Sequence, residues 1–306
     1  MGLPVVGGST LHGVPARLLA VHAHPDDESL SMAGTLAAAA AGGAEVTLVT
    51  ATLGEEGEVI GDEEMQGLVA ARADQLGGYR LTELRSACAA LGVRERLMLG
   101  GLGAFRDSGM AGTPSAAHPR AFIRAQRGGP SHDAAVAALV EVIDRVRPHV
   151  LLTYDADGGY GHPDHIAAHQ VVMGSLPLAG WSVPRVLAVV RPASVTRSAY
   201  AGVVVPPGYQ AAPTDELDFM AGFLAPDEVV RVAVPTAPVA QQRRRAFAAH
   251  ATQVELLPGD LFALSNRIAQ PLPAAEYFRV LAGEPVPRAA DGAVADDVFA
   301  GLELDR

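Results

Sequence analysis

Apolar residues along this chain fall into short, nearly continuous runs separated by longer amphipathic or Ala/Leu-rich stretches. Arg17 to Ala23 is apolar until its polar end and predicts a buried strand, as does Glu45 to Thr50. Glu28 to Ala41 closes on Gly42-Gly43 and predicts a helix with a glycine stop. Helical stretches follow at Leu68–Leu76 and Leu81–Leu91, then a weak strand at Arg96–Leu99. From Asp133 to Val146, Ala137, Leu139, Val140, Ile143 and Val146 stand near helical spacing, and Pro148 ends the helix. Val150–Thr153 predicts a strand, His162–Met173 a helix and Arg185–Val190 a further strand. Pro235–Thr252 carries a basic helix, and Tyr277–Leu281 a last strand. Residues 100–130 and 192–228 are rich in loop-forming residues; so long a loop in a compact domain is more often functional than idle.

Strand and helix thus alternate over the first 190 residues. This predicts an α/β fold: a Rossmann-like, mostly parallel sheet with helices on both faces and a smaller C-terminal part completing the cleft. Residues 1–175 form the expected core, 176–288 the C-terminal part, and 289–306 a mobile acidic tail. In such sheets ligands bind beyond the carboxyl ends of the strands.

Charge narrows the partners. Lys and Arg number 23 against 34 Asp and Glu, a net charge of -11 over 306 residues. That balance disfavours nucleic acid or an anionic membrane as the main partner, since both call for clustered cations. The basic run Arg243-Arg244-Arg245 reads as a solvated helix face. A single cysteine, Cys88, makes no internal disulfide and no cysteine zinc site. Nothing reads as a targeting or membrane-spanning segment, so a soluble cytoplasmic protein is expected. Oligomeric state is left open.

The chemistry concentrates after two of the predicted strands. One carries His22-Ala23-His24-Pro25-Asp26-Asp27-Glu28, the other Asp155 through Gly158-Gly159-Tyr160-Gly161-His162-Pro163-Asp164-His165. Imidazole and carboxylate suit divalent zinc, and a catalytic zinc keeps three protein ligands and one open position. His24 and Asp27, three positions apart at a strand-to-helix junction, can converge on one ion, with His165 as the third ligand. Two histidines and a carboxylate also suit ferrous iron. Asp26 is then free to act as a base, and His162 and Tyr160 bring proton-bearing groups nearby. His22 and His169 are rival ligands, whereas His12, His118, His132, His149 and His250 read as surface or packing histidines. The first motif alone could be a helix N-terminus, since aspartate stabilises a first turn. Two His-Pro-Asp triplets after two different strands are hard to explain as caps.

Taken together, HPDDE and GHPDH resemble the PIG-L/LmbE-like zinc deacetylases, which remove acetyl groups from N-acetylglucosaminyl compounds. The runs Thr52–Asp62, Ala73–Arg80, Arg106–Thr113 and Ala248–Val254 are similar to one branch of that family. This branch hydrolyses the N-acetyl group of N-acetylglucosaminyl-inositol in mycothiol biosynthesis. The resemblance spans roughly residues 17–175 and 240–283. It implies His24, Asp27 and His165 as zinc ligands and Asp26 as general base. It implies that Tyr160 polarises the amide carbonyl, and that His162 stabilises the oxyanion or protonates the leaving amine. Asp164 would orient its histidine neighbour, while Arg80, Asp107 and Glu58 would contact or line the small-molecule substrate. Ala156-Asp157 stands where the family has Pro-Asn, and segments 114–130 and 176–235 diverge. A mycothiol S-conjugate amide, another N-acyl glucosamine compound, and a non-catalytic metal- or sugar-binding role remain as alternatives.

Overall fold

Arg17–His22 (β1) alternates its side chains between two faces that are both buried. Leu18 and Ala20 join one apolar cluster, Leu19 and Val21 the other. Val150–Tyr154 (β4) divides likewise, Val150 and Leu152 against Leu151. A strand buried on both faces reads as a continuous apolar run, so these strands are plain in the sequence. The computed structural model describes residues 10–11, 14–213 and 224–303.

The chain runs β1, Asp27–Ala41 (α1), Glu45–Thr50 (β2), Leu76–Leu91 (α2), Glu95–Met98 (β3), His132–Val146 (α3), β4, Pro163–Ser175 (α4), Arg185–Val190 (β5) and Ala193–Ala201 (α5). Val232–Pro235 (β6) and Ala240–Ala249 (α6) follow. Next come three short strands, Glu255–Leu257 (β7), Leu261–Ala263 (β8) and Gln270–Pro271 (β9), and then Ala275–Gly283 (β10). The main sheet has seven strands in the order β3-β2-β1-β4-β5-β10-β6. Strands β1 to β5 are parallel; β10 runs antiparallel between β5 and β6. Met32 and Leu36 of α1, Leu84 and Leu91 of α2 and Phe247 of α6 cover one face. Leu139 and Ile143 of α3 with Val171 and Val172 of α4 cover the other. The expected α/β architecture is therefore the one found. The order in which strands are added reverses between β1 and β4, the switch point at which such sheets open a crevice. Among the described residues no helix is long and apolar enough to cross a membrane.

Four details differ from the sequence pattern. Residues 68–74 form turns rather than a helix, and α2 begins at Leu76, with Asp74 at φ 54 before it. Ala193–Ala201 is helical within the stretch expected to be irregular, with none of its residues buried. The expected mobile tail is packed in its described part: Val298, Phe299 and Leu302 are buried. The fully buried Arg185 holds that tail, donating from Nη1 to the carbonyls of Val298 and Ala300, both at 2.9 Å. The division expected at residue 175 runs through one continuous sheet, because β4 pairs directly with β5.

Candidate active site

Both functional segments begin where a parallel strand ends. After β1 the chain leaves the sheet through His24 and Pro25, and α1 starts at Asp27. Asp26, at the N-cap position, has φ 112 and ψ -27, a conformation costing an L residue ~1–3 kcal/mol. Its side chain makes no cap hydrogen bond, so the carboxylate is left for other work. After β4 the loop passes through Gly158 at φ +71, where a Cβ would meet that of His165 at 2.9 Å. Glycine is required there to let the loop close over the histidine. α4 then opens with His162 as its cap, whose Nδ1 accepts the Asp164 backbone N–H at 3.2 Å.

These two junctions bring three donor groups together. His24 Nδ1 lies 3.3 Å from Asp27 Oδ2, His165 Nε2 lies 3.3 Å from Asp27 Oδ1, and the two imidazole nitrogens are 3.4 Å apart. A tetrahedral zinc with bonds of ~2.0–2.1 Å spaces its ligands about 3.3–3.4 Å apart; the two nitrogens stand at that spacing from each other, and each stands at it from a different oxygen of Asp27. The outer hydrogen bonds agree. His165 Nδ1 faces the Gly158 carbonyl at 3.0 Å, which leaves Nε2 as the acceptor nitrogen. His24 Nε2 faces Asp164 Oδ2 at 3.2 Å, which leaves Nδ1 for the shared centre. Burial would raise the Asp27 carboxyl, but the charge and hydrogen bonds of His165 and His24 outweigh it and hold it well below the usual range. Burial likewise opposes charge on His24, yet Asp107, Asp164 and Asp27 raise it well above its ordinary value. Carboxylates that favour a proton there favour a metal cation in its stead.

Two other groupings share His24. Ligand atoms of His24, His162 and His165 fall within 4.8 Å of one another, as do those of His24, Asp107 and Asp164. Their atoms carry hydrogen bonds, as does Asp27, whose Oδ2 accepts from the His24 N–H at 2.8 Å and the Tyr154 hydroxyl at 2.6 Å. His162 Nδ1 is already taken by the Asp164 N–H, Asp164 Oδ2 accepts from Ser108 N–H, and Asp107 accepts from Gly109 and Glu56. Asp107 and Asp164 flank His24 Nε2 at 3.5 and 3.2 Å, and His162, with Nδ1 engaged, presents Nε2 as its N–H.

Asp26 lies at the edge of this centre, its Oδ2 accepting from Arg80 Nη2 at 2.9 Å. Burial raises its pKa to about 6, with Asp27 adding to the rise and Arg80 opposing it. His162 is pushed down to about 3, chiefly by burial and then by His24 and His165, so its imidazole is neutral. The Tyr160 ring, 36% exposed, stands at the mouth, 5.0 Å from the ring of His165 and 5.8 Å from that of His162.

The outer residues divide. Asp107 is buried beside His24, Nε2 to Oδ1 being 3.5 Å. Arg80, only 3% exposed, is turned inward rather than toward a substrate: it binds Asp26 and the carbonyls of Pro25 and Gly54. Those contacts support Asp26, where a substrate contact was expected. Glu58 is exposed, and its Oε2 accepts from Ser265 at 2.7 Å, tying the acidic loop that follows β2, residues 53–64, to the C-terminal part.

The model of the GlcNAc-PI de-N-acetylase family, PIG-L, matches residues 19–176, a span containing both motifs. The chain belongs to the PIG-L family. Curated relatives agree along almost the whole chain. The 1D-myo-inositol 2-acetamido-2-deoxy-α-D-glucopyranoside deacetylase of Nakamurella multipartita is 76% identical, over 96% of this chain and 98% of its own. The protein of the same name from Rhodococcus opacus is 47% identical, over 94% and 98%. A deacetylase solved as a complex with teicoplanin shares the fold with a TM-score of 0.51 at 18% identity, covering 88% of this chain and 100% of its own.

Within this PIG-L site the structure adds residues that sequence reasoning missed. Tyr154, buried at the end of β4, donates from its hydroxyl to Asp27 Oδ2 at 2.6 Å and accepts the Ala23 N–H at 2.8 Å. Its ring stacks on His165 with centroids 4.1 Å apart. His250, expected to be a surface or packing residue, is fully buried and paired with Glu28 at 2.7 Å. The rivals fall outside the centre: His22 packs edge-on against Tyr154, and His169 Nδ1 faces the Tyr154 carbonyl at 3.0 Å.

Proposed function

We propose that this chain hydrolyses the acetamide of 1D-myo-inositol 2-acetamido-2-deoxy-α-D-glucopyranoside, giving acetate and the free glucosaminyl-inositol, with zinc held by His24, Asp27 and His165. One observation carries the reading: a carboxylate raised to about 6, Asp26, borders three donors spaced for one metal ion. The substrate follows from the name of the N. multipartita relative, 76% identical over nearly the full chain. That molecule is small and polar, in keeping with a cytoplasmic enzyme.

When bound, zinc polarises the amide carbonyl and makes a water more acidic. Asp26 accepts a proton from the attacking water; a carboxylate with a pKa near 6 is ionised at neutral pH and more basic than an ordinary one. Arg80 keeps that carboxylate at the edge of the site. As oxygen attacks, charge moves onto the carbonyl oxygen, and the His162 Nε2–H with the Tyr160 hydroxyl are the donors available to it. His162, neutral and with Nδ1 engaged by the Asp164 N–H, serves as a donor rather than as an acid. The proton on Asp26 then passes to the sugar nitrogen as the C–N bond breaks.

The test is acetate release from the inositol conjugate and from free N-acetylglucosamine, each with and without chelator. Chelator-sensitive release from the inositol conjugate is expected. Release from neither overturns the deacetylase reading and directs the next assay to the bulkier S-conjugate amide.

A further inference from the structure

Asp26 occupies a helix N-cap without capping the helix. The neighbouring backbone is secured another way. Glu28, two residues into α1, turns back so that its Oε2 accepts the Asp26 backbone N–H at 3.1 Å. In a capping box a side chain from the first turn reaches back to the cap N–H in the same manner. Here the arrangement frees the Asp26 carboxylate while pinning the residue that bears it. Glu28 is itself fully buried, and a buried carboxylate needs partners. Its Oε1 takes two, the Ser29 hydroxyl at 2.6 Å and His250 Nε2 at 2.7 Å. His250 lies 222 residues further on, at the C-terminal end of α6, where a cationic imidazole is favoured by the helix dipole. The sequence from His250 onward is fixed as well. Thr252 donates from its N–H and its hydroxyl to the two oxygens of Glu83 on α2, both at 2.8 Å, and its carbonyl accepts from Ile60 in the acidic loop. His250 therefore stands on a rigid footing shared by α6, α2 and the loop beside the site.

We propose that the buried Glu28–His250 pair is the positioning device of the catalytic base: His250 fixes Glu28, and Glu28 fixes the strained backbone turn that aims the Asp26 carboxylate. The pair reaches the site through the Asp26 backbone N–H, the contact that holds the residue bearing the carboxylate. The inference rests on the reading of Asp26 as the base.

The experiment is a double-mutant cycle on full-length, metal-loaded protein, measuring acetate release from the inositol conjugate together with metal content. His250→Leu keeps volume but removes the donor, and is expected to lower kcat ~10–100-fold, the usual cost of losing such an outer partner. KM and metal content should stay near the parent values. His250→Gln, which retains an N–H donor, should recover most of the loss. In an Asp26→Asn background His250→Leu should change kcat less than about twofold, because groups acting through one residue are not additive. An equal loss in both backgrounds, or an unchanged kcat in the single variant, overturns the proposal. An Asp26→Asn protein with parental activity instead overturns the assignment of the base. If His250→Leu does not fold, Glu28→Gln is read in the same cycle, since its amide oxygen is a weaker acceptor for the Asp26 N–H. A several-fold drop confined to the Asp26 background is then the supporting result, and a drop present in both the contrary one.

Discussion

Arg80 Nη2 and Asp26 Oδ2 lie 2.9 Å apart, and the other contacts of this buried guanidinium go to the carbonyls of Pro25 and Gly54. One side chain thus spans the first metal-motif loop and the acidic loop. It also opposes the rise that burial imposes on Asp26. Without that cation the carboxyl moves further up, and less of it is ionised at neutral pH. Arg80→Ala should lower kcat ~10–100-fold, as outer partners of a metal site commonly do, and should move the acid limb of the pH profile to higher pH. Arg80→Lys should not restore it, because an ammonium lacks the planar fork that reaches three acceptors. An acid limb unmoved in the Ala variant would separate Arg80 from the base.

The base should be visible in the pH profile. As the proposed base Asp26 works when deprotonated, so activity should be lost as pH falls through its pKa, which is about 6 without a metal. A bound cation favours the ionised form, so the limb of the loaded enzyme lies at or below that value. Asp26→Asn should retain metal, lose ~10²–10⁴ in kcat and lose this limb. A variant with full metal content and parental rate would remove Asp26 from the mechanism.

Much of this site is legible in the sequence because its chemistry is local. His24, Asp26 and Asp27 share one turn, His162 and His165 another, and both turns follow strands whose unbroken apolar runs announce burial on two faces. What is illegible depends on contacts distant in the chain. Nothing near His250 reveals that Glu28 is its partner, and nothing near Val298 points to Arg185. The start of α2 is hidden differently. Gly77-Gly78 reads as a helix breaker, but a Cβ at Gly77 would meet Leu53 Cβ at 2.8 Å and Glu55 Cγ at 2.9 Å. That glycine is there to let the helix approach the acidic loop, and packing overrides its propensity. Helix α5 is short, weakly apolar and has no buried residue, so little in the sequence marks it.

Tyr154 supports the proposed metal centre from behind. Its hydroxyl holds Asp27 Oδ2 while its ring stacks on His165, so it orients two of the three donors at once. Tyr154→Phe keeps the stack and removes the hydrogen bond. Metal affinity should fall ~10–100-fold with the fold intact, measured by competition with a chromogenic chelator. Chelation of the parent enzyme should abolish activity and lower Tm, since an ion bound only by the folded state at 100 times its Kd adds about 2.7 kcal/mol. A Tm unchanged by chelator would argue against a resident metal.

His162 decides between a donor and an acid in the breakdown of the tetrahedral species. Burial and the neighbouring imidazoles push it down to about 3, and its Nδ1 already accepts the Asp164 N–H. A group with that pKa carries no second proton at neutral pH and cannot produce a basic limb there. Loss of such a preorganised donor costs ~10²–10³ in kcat, so His162→Ala should fall in that range. His162→Gln, whose amide can still donate, should lose less. The shape of the profile is the sharper criterion. The parent should show an acid limb from Asp26, and any fall at high pH should persist in His162→Gln. A basic limb that disappears with His162 would instead assign it the proton transfer to the leaving amine.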